Sequence, residues 1–547
     1  MADQPSADVV DVASLPLPPV NPLPRKERLA ACRSFHTGTD VLRDAGGPVT
    51  RFTLAPKWLM PPLVVVTSPQ GIRDTVTCRD GSIDKTSDVS QELERIIGAN
   101  MFVVNYEQWK PRRRTIQPVF TKQSVNEFGG HMSAAAESVC NAWEDGAEID
   151  VDAAARRITM RALGHSVFGL DLTDHADIID APMRVAVSYA VSRAISPVSL
   201  PRWVPTRTKR RALQAAASIR EFALGVVRAC RENPDMDAPL VQQLIAATDP
   251  ETGKPLSDLD IANELLIFMF AGQDTTATTI AYSLWALGRN RDIQDRVVAE
   301  VTQFGDRELT PDDVPQLGYT IQVLKESMRL CPPGATGSRM ATRDVAVAGY
   351  RIPAGTMIVM GRMSVHRDPT LWDRPLVFDP DRFTEENSKA RDPWQYVPFG
   401  RGPRGCIGDH FAMLEATLAL ATIVRHAQID SLDDDFPMIA SFTSVLFSSS
   451  STTWTAPIFL TGGGERIPFA LRGVEYQIDL SNVNGAKLDK ALKPFIAAAQ
   501  KVGGKRRKGP GPKPARGGGA VSSADRARRE FERPHLRTPL RFSTIQM

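Results

Sequence analysis

Phe399-Gly400-Arg401-Gly402-Pro403-Arg404-Gly405-Cys406-Ile407-Gly408 is the stretch on which the fold turns. It sets one cysteine among four glycines and two arginines, directly before an apolar helical pattern of Phe411, Leu414, Leu418 and Ala421. Glycine permits positive φ and close backbone approach to a flat ligand, and the free N–H groups at a helix start favour an anionic sulfur. Cys406 is therefore expected to be a thiolate. An inert buried cysteine would account for the sulfur but not for the glycines and arginines around it.

Three segments upstream carry spacing of their own. Glu326 and Arg329, three residues apart in Tyr319 to Leu330, share one helix face, and Pro332-Pro333 stops that helix. Trp109 to Arg114 places a tryptophan four residues before Arg113. Ser257 to about Leu287 reads as one long helix with a Ser cap and Asp258 and Asp260 in its first turn. In its middle, Ala271-Gly272-Gln273-Asp274-Thr275-Thr276 gathers weak helix formers around a charge, which predicts a local distortion with a freed carbonyl. The alternative is a solvent-facing Asp274 beside two space-filling threonines.

The whole chain has 547 residues, 42% hydrophobic and 24% charged, which rules out general disorder and collagen-like repeats. Its six cysteines lack paired spacing, as expected of reduced thiols in a cytoplasmic protein. The best apolar runs, Leu63 to Val66 and Leu265 to Phe270, are far shorter than the roughly 18 residues of a membrane span, so no membrane span is expected. The first twelve residues lack a signal-peptide pattern. The net charge of +3 divides unevenly: Gly503 to Met547 holds 12 basic and 3 acidic residues, +9, leaving −6 for residues 1–502.

The fold class expected is mainly α with small β-sheets. Residues 1–40 form a Pro-rich amino-terminal arm, 41–455 a large domain, 456–502 a small module, and 503–547 a basic, disordered tail. Short strands are expected around Arg51 to Leu54, Pro62 to Thr67 and Val345 to Val359, with helices between Gln91 and Glu326.

Phe399, Gly402, Arg404, Cys406 and Gly408 match every fixed position of the haem-binding loop of the cytochrome P450 haem-thiolate monooxygenases, and the chain resembles that family over residues of about 40–445. The other segments follow in family order. The resemblance implies the cytochrome P450 fold and heme b (iron protoporphyrin IX), with Cys406 as iron ligand and Phe399 and Gly408 in its loop. It further implies a bracing network of Glu326, Arg329 and Arg382, and Trp109, Arg113, Arg339 and Arg404 at the haem propionates. Asp274 and Thr275 match the oxygen-activating pair, with Thr275 bonding dioxygen and Asp274 relaying protons. His366 reads as a structural histidine near the same group.

The implied activity is insertion of one oxygen atom from O2 into a hydrophobic small molecule of fatty acid, sterol, terpenoid or polyketide class, with Leu266, Ile267, Phe270 and Ala271 around the site. No reductase sequence is fused, so electrons come from a ferredoxin or flavodoxin with its reductase. Lys110, Arg112, Arg114 and Arg401 are expected to form a basic docking face. Ile467 to Leu480 alternates around Arg472-Gly473 as a hairpin, placing Phe469 and Leu471 against Tyr476, Ile478 and Leu480, and a helix with Leu488, Leu492, Phe495 and Ile496 follows. Residues of about 463–509 resemble the oligomerisation domain and basic linker of actinobacterial nucleoid-bridging, histone-like proteins. That implies self-association through 463–502 and non-specific DNA contact by Lys505 to Lys508, Lys513 and Arg516. The rival function is a nucleoid-associated DNA-binding fusion whose oxygenase half is inactive or senses haem. Leu446 to Thr455 departs from the oxygenase family, so a strand at the end of that domain is expected to be lost.

Overall fold

The helix Asp258–Leu287 runs unbroken for thirty residues, begun by Ser257, whose side chain accepts from the Asp260 N–H. It forms the axis of the larger unit because it is apolar nearly all round: Leu265, Leu266, Ile280 and Leu284 are buried on its different faces. Helices Val151–Leu163, Arg207–Glu232, Gly318–Leu330 and Asp409–His426 pack against it. Each large side chain withdrawn from water there contributes about 1.5–3 kcal/mol.

The chain is represented by a computed structural model that describes residues 11–33, 35–58, 60–172, 176–195, 201, 203–431, 464–471, 474–481 and 539–544. It divides into two units, the larger comprising 1–434, 442–452 and 538–547, the smaller 435–441 and 453–537. The Pro-rich arm ends at Pro24, whose carbonyl accepts from the Glu27 and Arg28 N–H groups and starts a helix, Arg25–Arg33, followed by Phe35–Gly46. Residues 25–40 are therefore largely helical where an extended arm was expected.

A five-stranded sheet has the order Val49–Phe52, Leu63–Val66, Met357–Gly361, Thr336–Ala341, Ile83–Asp84, with only the second and third strands parallel. The two-residue period of a strand sorts its side chains: Val64, Val66 and Ile358 pack with Val345 and Ile352, while Leu63, Val65 and Val359 pack with Leu42 and Phe52. This sheet carries Arg339 within a strand and Arg362 immediately after one.

A three-stranded sheet corrects the expectation of a lost strand. Its middle member is Pro539–Thr544, the last described segment of the chain, which pairs antiparallel with Glu148–Asp150 on one side and Ala427–Ser431 on the other. Leu540 stands opposite both Ile149 and Ser431, and Phe542 opposite Ile429. The alternation Leu540, Arg541, Phe542, Ser543 within the basic tail is a strand pattern that the surrounding charge obscures.

The smaller unit contains the antiparallel hairpin Gly464–Leu471 with Val474–Ser481. Phe469 faces Tyr476, Ile467 faces Ile478 and Leu471 faces Val474, close to the expected register. The expected helix over Leu488 to Ile496 and the basic run Lys505 to Lys508 lie outside the described residues.

Candidate active site around Cys406

Two tight turns present the cysteine. Gly400 (φ 68°) and Gly402 (φ 76°) hold conformations that other residues rarely adopt, and a Cβ on Gly402 would lie 2.3 Å from the Val76 carbonyl oxygen. The Cys406 N–H donates to the Phe399 carbonyl at 2.9 Å, closing the loop, and Ala412 N–H to Gly408 O begins the helix Asp409–His426. Cys406 is accessible, yet enough protein surrounds it that burial is the largest influence on its acidity, raising it. The Gly408 N–H and the guanidiniums of Arg113 and Arg362 pull the other way. Desolvation thus opposes the expected thiolate in the loop by itself, and a metal held by the sulfur would favour the deprotonated form.

Around the loop lies an excess of buried cations. Arg113 donates to Gly405 O at 3.1 Å, and Arg362 donates to Gly334 O and Thr336 O at 2.6 Å each. Arg404 pairs with Asp84 at 2.8 Å, donates to Val104 O and covers the buried Trp109 ring at 5.0 Å. Lys85 Nζ donates to Phe102 O at 2.6 Å. Arg339 is pushed down to about 9 by burial and by the charges of Arg404 and Arg362, and Lys85 is lowered by burial and the same arginines; Asp84 alone opposes both. Several enclosed cations against one carboxylate are costly unless an anion joins them. A flat group with two carboxylates and a metal that takes a thiolate fits this donor set. Lys85 and Arg362 escaped sequence reading, since neither lies in a stretch with spacing of its own.

The loop is braced from behind. Glu326 and Arg329 are fully buried and bidentate, at 2.6 and 2.7 Å, and Arg329 also donates to the carbonyls of His366, Pro375 and Val377. Glu326 further accepts from the Asp379 N–H, and Arg382 approaches it to 3.5 Å. His366 is buried, and its Nε2 accepts from the Val397 N–H two residues before Phe399. Burial and the nearby Arg362 and Arg329 push it down to about 3, so it is a neutral structural acceptor.

On the central helix, Ala271 and Thr275 are exposed although they sit midway along a buried element. One turn apart, they mark an internal open face. Phe270 is half-buried beside them, and Leu266 and Ile267 are buried. The helix continues through the segment expected to be distorted, and Thr275 Oγ1 donates to Ala271 O at 2.7 Å, with Thr278, Thr279 and Ser283 repeating this bond to the residue four before. Hydroxyls thus load the carbonyls without breaking the ladder. Asp274 is neither solvent-facing nor free: it pairs with Arg156, and with Arg184 at 3.1 Å.

The basic docking face is reduced. Arg112 pairs with Asp260 at 2.5 Å and with Glu264, and Arg114 pairs with Asp249 and Glu251, leaving Lys110 and Arg401 exposed. Among the described residues, no helix is long and apolar enough to cross a membrane.

Comparison with known proteins agrees with this geometry. The Cytochrome P450 family model matches residues 21–456, and that of the Lsr2 dimerization domain matches 462–503. Cyclooctatin synthase of Streptomyces melanosporofaciens is 32% identical over 343 residues, 62% of this chain and 75% of that protein. Cyclooctat-9-en-7-ol 5-monooxygenase of the same organism is 30% identical over 338 residues, 61% of this chain and 73% of that protein. Among solved structures, the heme domain of cytochrome P450DA is similar in fold, with TM-score 0.67 and 24% identity over 77% of this chain and 93% of that one.

Proposed function

The chain belongs to the cytochrome P450 family, and from that premise we propose that it is a monooxygenase that hydroxylates a hydrophobic cyclic terpenoid, drawing electrons from a separate ferredoxin or flavodoxin and its reductase. The observation that carries the reading is the accessible Cys406 thiol set among the enclosed guanidiniums of Arg113, Arg339, Arg362 and Arg404. Heme b, when bound, supplies the redox chemistry that activates O2.

The chain's own residues do the rest. Cys406 would hold the iron of the group through its sulfur, and Arg113, Arg339, Arg404 and Lys85 would donate to its carboxylates. Trp109 supports Arg404 from below. The Glu326–Arg329–Arg382 group fixes the loop's position from behind. Thr275, having spent its hydroxyl proton on Ala271 O, presents lone pairs to the open face and so accepts a hydrogen bond from a donor bound there. Asp274 moves protons through water only after exchanging an arginine for that water. Phe270 and Ala271 give the open face an apolar wall suited to a hydrocarbon substrate. The terpenoid class is favoured by the similarity to cyclooctat-9-en-7-ol 5-monooxygenase, whose name gives a cyclic unsaturated alcohol as its substrate. The match of 462–503 supports self-association of the small module, proposed here to join two copies of the chain. The full set of haem-site positions favours a working enzyme over a DNA-binding protein with an idle oxygenase half.

A substrate screen tests this. Cyclic terpene alcohols are expected to shift the purified haem protein from low to high spin at lower concentration than fatty acids of similar carbon number. A shift with fatty acids alone refutes the substrate class.

A further inference from the structure

Arg362 follows directly on the strand Met357–Gly361. Its guanidinium is pinned by two bonds of 2.6 Å, Nε to the Gly334 carbonyl and Nη2 to that of Thr336. Three glycines make the room for it. A Cβ on Gly334 would lie 2.9 Å from Nη2, one on Gly337 3.4 Å from the same nitrogen, and one on Gly400 3.5 Å from Nη1. Gly337 belongs to the neighbouring strand Thr336–Ala341, but Gly400 belongs to the cysteine loop, so the third nitrogen of the guanidinium lies against that loop. The anchoring is firm on both sides. Thr336 is the partner of Gly361 in the sheet, the Met363 N–H donates to the Ala335 carbonyl at 3.0 Å, and His366, at the end of the short helix Arg362–His366, accepts from the Val397 N–H.

Charge sets Arg362 apart from its neighbours. Arg404 is paired with Asp84, and Arg113, the other guanidinium acting on the sulfur, also feels Asp409. For Arg362 the influence that opposes burial is Cys406. Burial lowers it to about 10, so it remains a cation at neutral pH. An enclosed cation with no carboxylate is costly to keep, and here it is kept next to the loop whose sulfur is to carry negative charge. Positive charge near a redox centre favours the form holding one more electron, and it acts more strongly in enclosed surroundings than in water.

We propose that Arg362 is a positioning residue: it fixes a positive charge beside the cysteine loop, raises the reduction potential of iron held by Cys406, and so eases transfer of the first electron from the separate donor. The inference rests on the haem-thiolate reading. One electron passes from the reduced donor to ferric iron, leaving ferrous iron and oxidised donor, with no bond made or broken. The same charge draws electron density from the sulfur, so the chain combines an easily reduced iron with a weaker donating ligand.

Redox titration of the purified haem protein, followed by optical absorption, tests this. Removing the charge in Arg362→Gln or Arg362→Met should shift the ferric–ferrous equilibrium about tenfold or more toward ferric iron, which is about 59 mV for one electron. Arg362→Lys, which keeps the charge but not the fork of donors, should stay within about threefold of wild type. In the neutral variants the stretching frequency of carbon monoxide on the ferrous iron should fall, because the sulfur donates more, while the optical signature of thiolate ligation persists. A wild-type potential in the neutral variants overturns the proposal; should one of them fail to fold, the other decides. A potential in Arg362→Lys lowered as far as in the neutral variants overturns it too, since the residue then acts by its shape and not its charge. Wild-type protein that takes up no haem, or shows no thiolate ligation, instead refutes the haem-thiolate reading, and this inference falls with it.

Discussion

Arg329 illustrates how a single buried ion becomes indispensable once its surroundings are built for it. It is fully buried, bonded twice to Glu326, and its remaining N–H groups reach three carbonyls. Removing one partner of such a pair leaves the other charged and alone, so Arg329→Leu is expected to lower the unfolding free energy by about 3–5 kcal/mol in a urea titration. His366 gives a pH dependence whose sign follows from its depressed value. An unfolded histidine binds a proton near 6.5, whereas the folded one resists until about 3, so its stabilisation is complete above about pH 6.5 and is lost as pH falls toward 3. In His366→Gln the decline of the urea midpoint over that interval should be shallower. Cys406→Ser, which removes the thiolate donor, should abolish haem retention as measured by bound iron after gel filtration.

Among elements, the central helix shows what local sequence conveys and what it withholds. The cap at Ser257, the helix to Leu287 and the special character of residues 271–276 were all readable, because capping and periodicity are local. The loop around Cys406 and the Glu326–Arg329 pair were readable for the same reason. What escaped were distant partners that no motif marks: Arg156 and Arg184 lie 118 and 90 residues from Asp274, and Val397 lies 31 from His366. The segment read as a local distortion stays within the helix, its carbonyls engaged by threonine hydroxyls. Helix Val151–Leu163 thus restrains the acid of the central helix through Arg156. Arg156→Gln combined with Arg184→Gln should cost about 1 kcal/mol of stability, given the partial exposure of the pair, and should alter product coupling measured as product per reductant.

Over the whole molecule, the uneven charge of the sequence does not map simply onto binding faces. Arg112 and Arg114 serve the protein's own acids, so Lys110 and Arg401 are the members of the expected cluster left to meet an electron donor. Lys110→Glu with Arg401→Glu is expected to slow reduction by an acidic ferredoxin, with the difference from wild type shrinking as salt is raised; a difference that does not change with salt would refute steering. The basic composition after residue 503 concealed the six residues that return to the sheet, since their pairing depends on distant strands, with Leu540 opposite Ser431 and Pro539 opposite Asp150.

That returning strand changes the standing of everything between. Because Leu540 lies opposite Ser431 on neighbouring antiparallel strands, residues 432–538, 107 in all, amount to one oversized hairpin connection whose ends emerge side by side. Closing a longer connection adds only about 0.6 kcal/mol per doubling of length, so the oxygenase can carry such cargo at little thermodynamic expense. Trimming the last ten residues should therefore harm the catalytic body more than excising residues 457–537, which lie beyond the family match and within the smaller unit, and bridging the gap with a short turn.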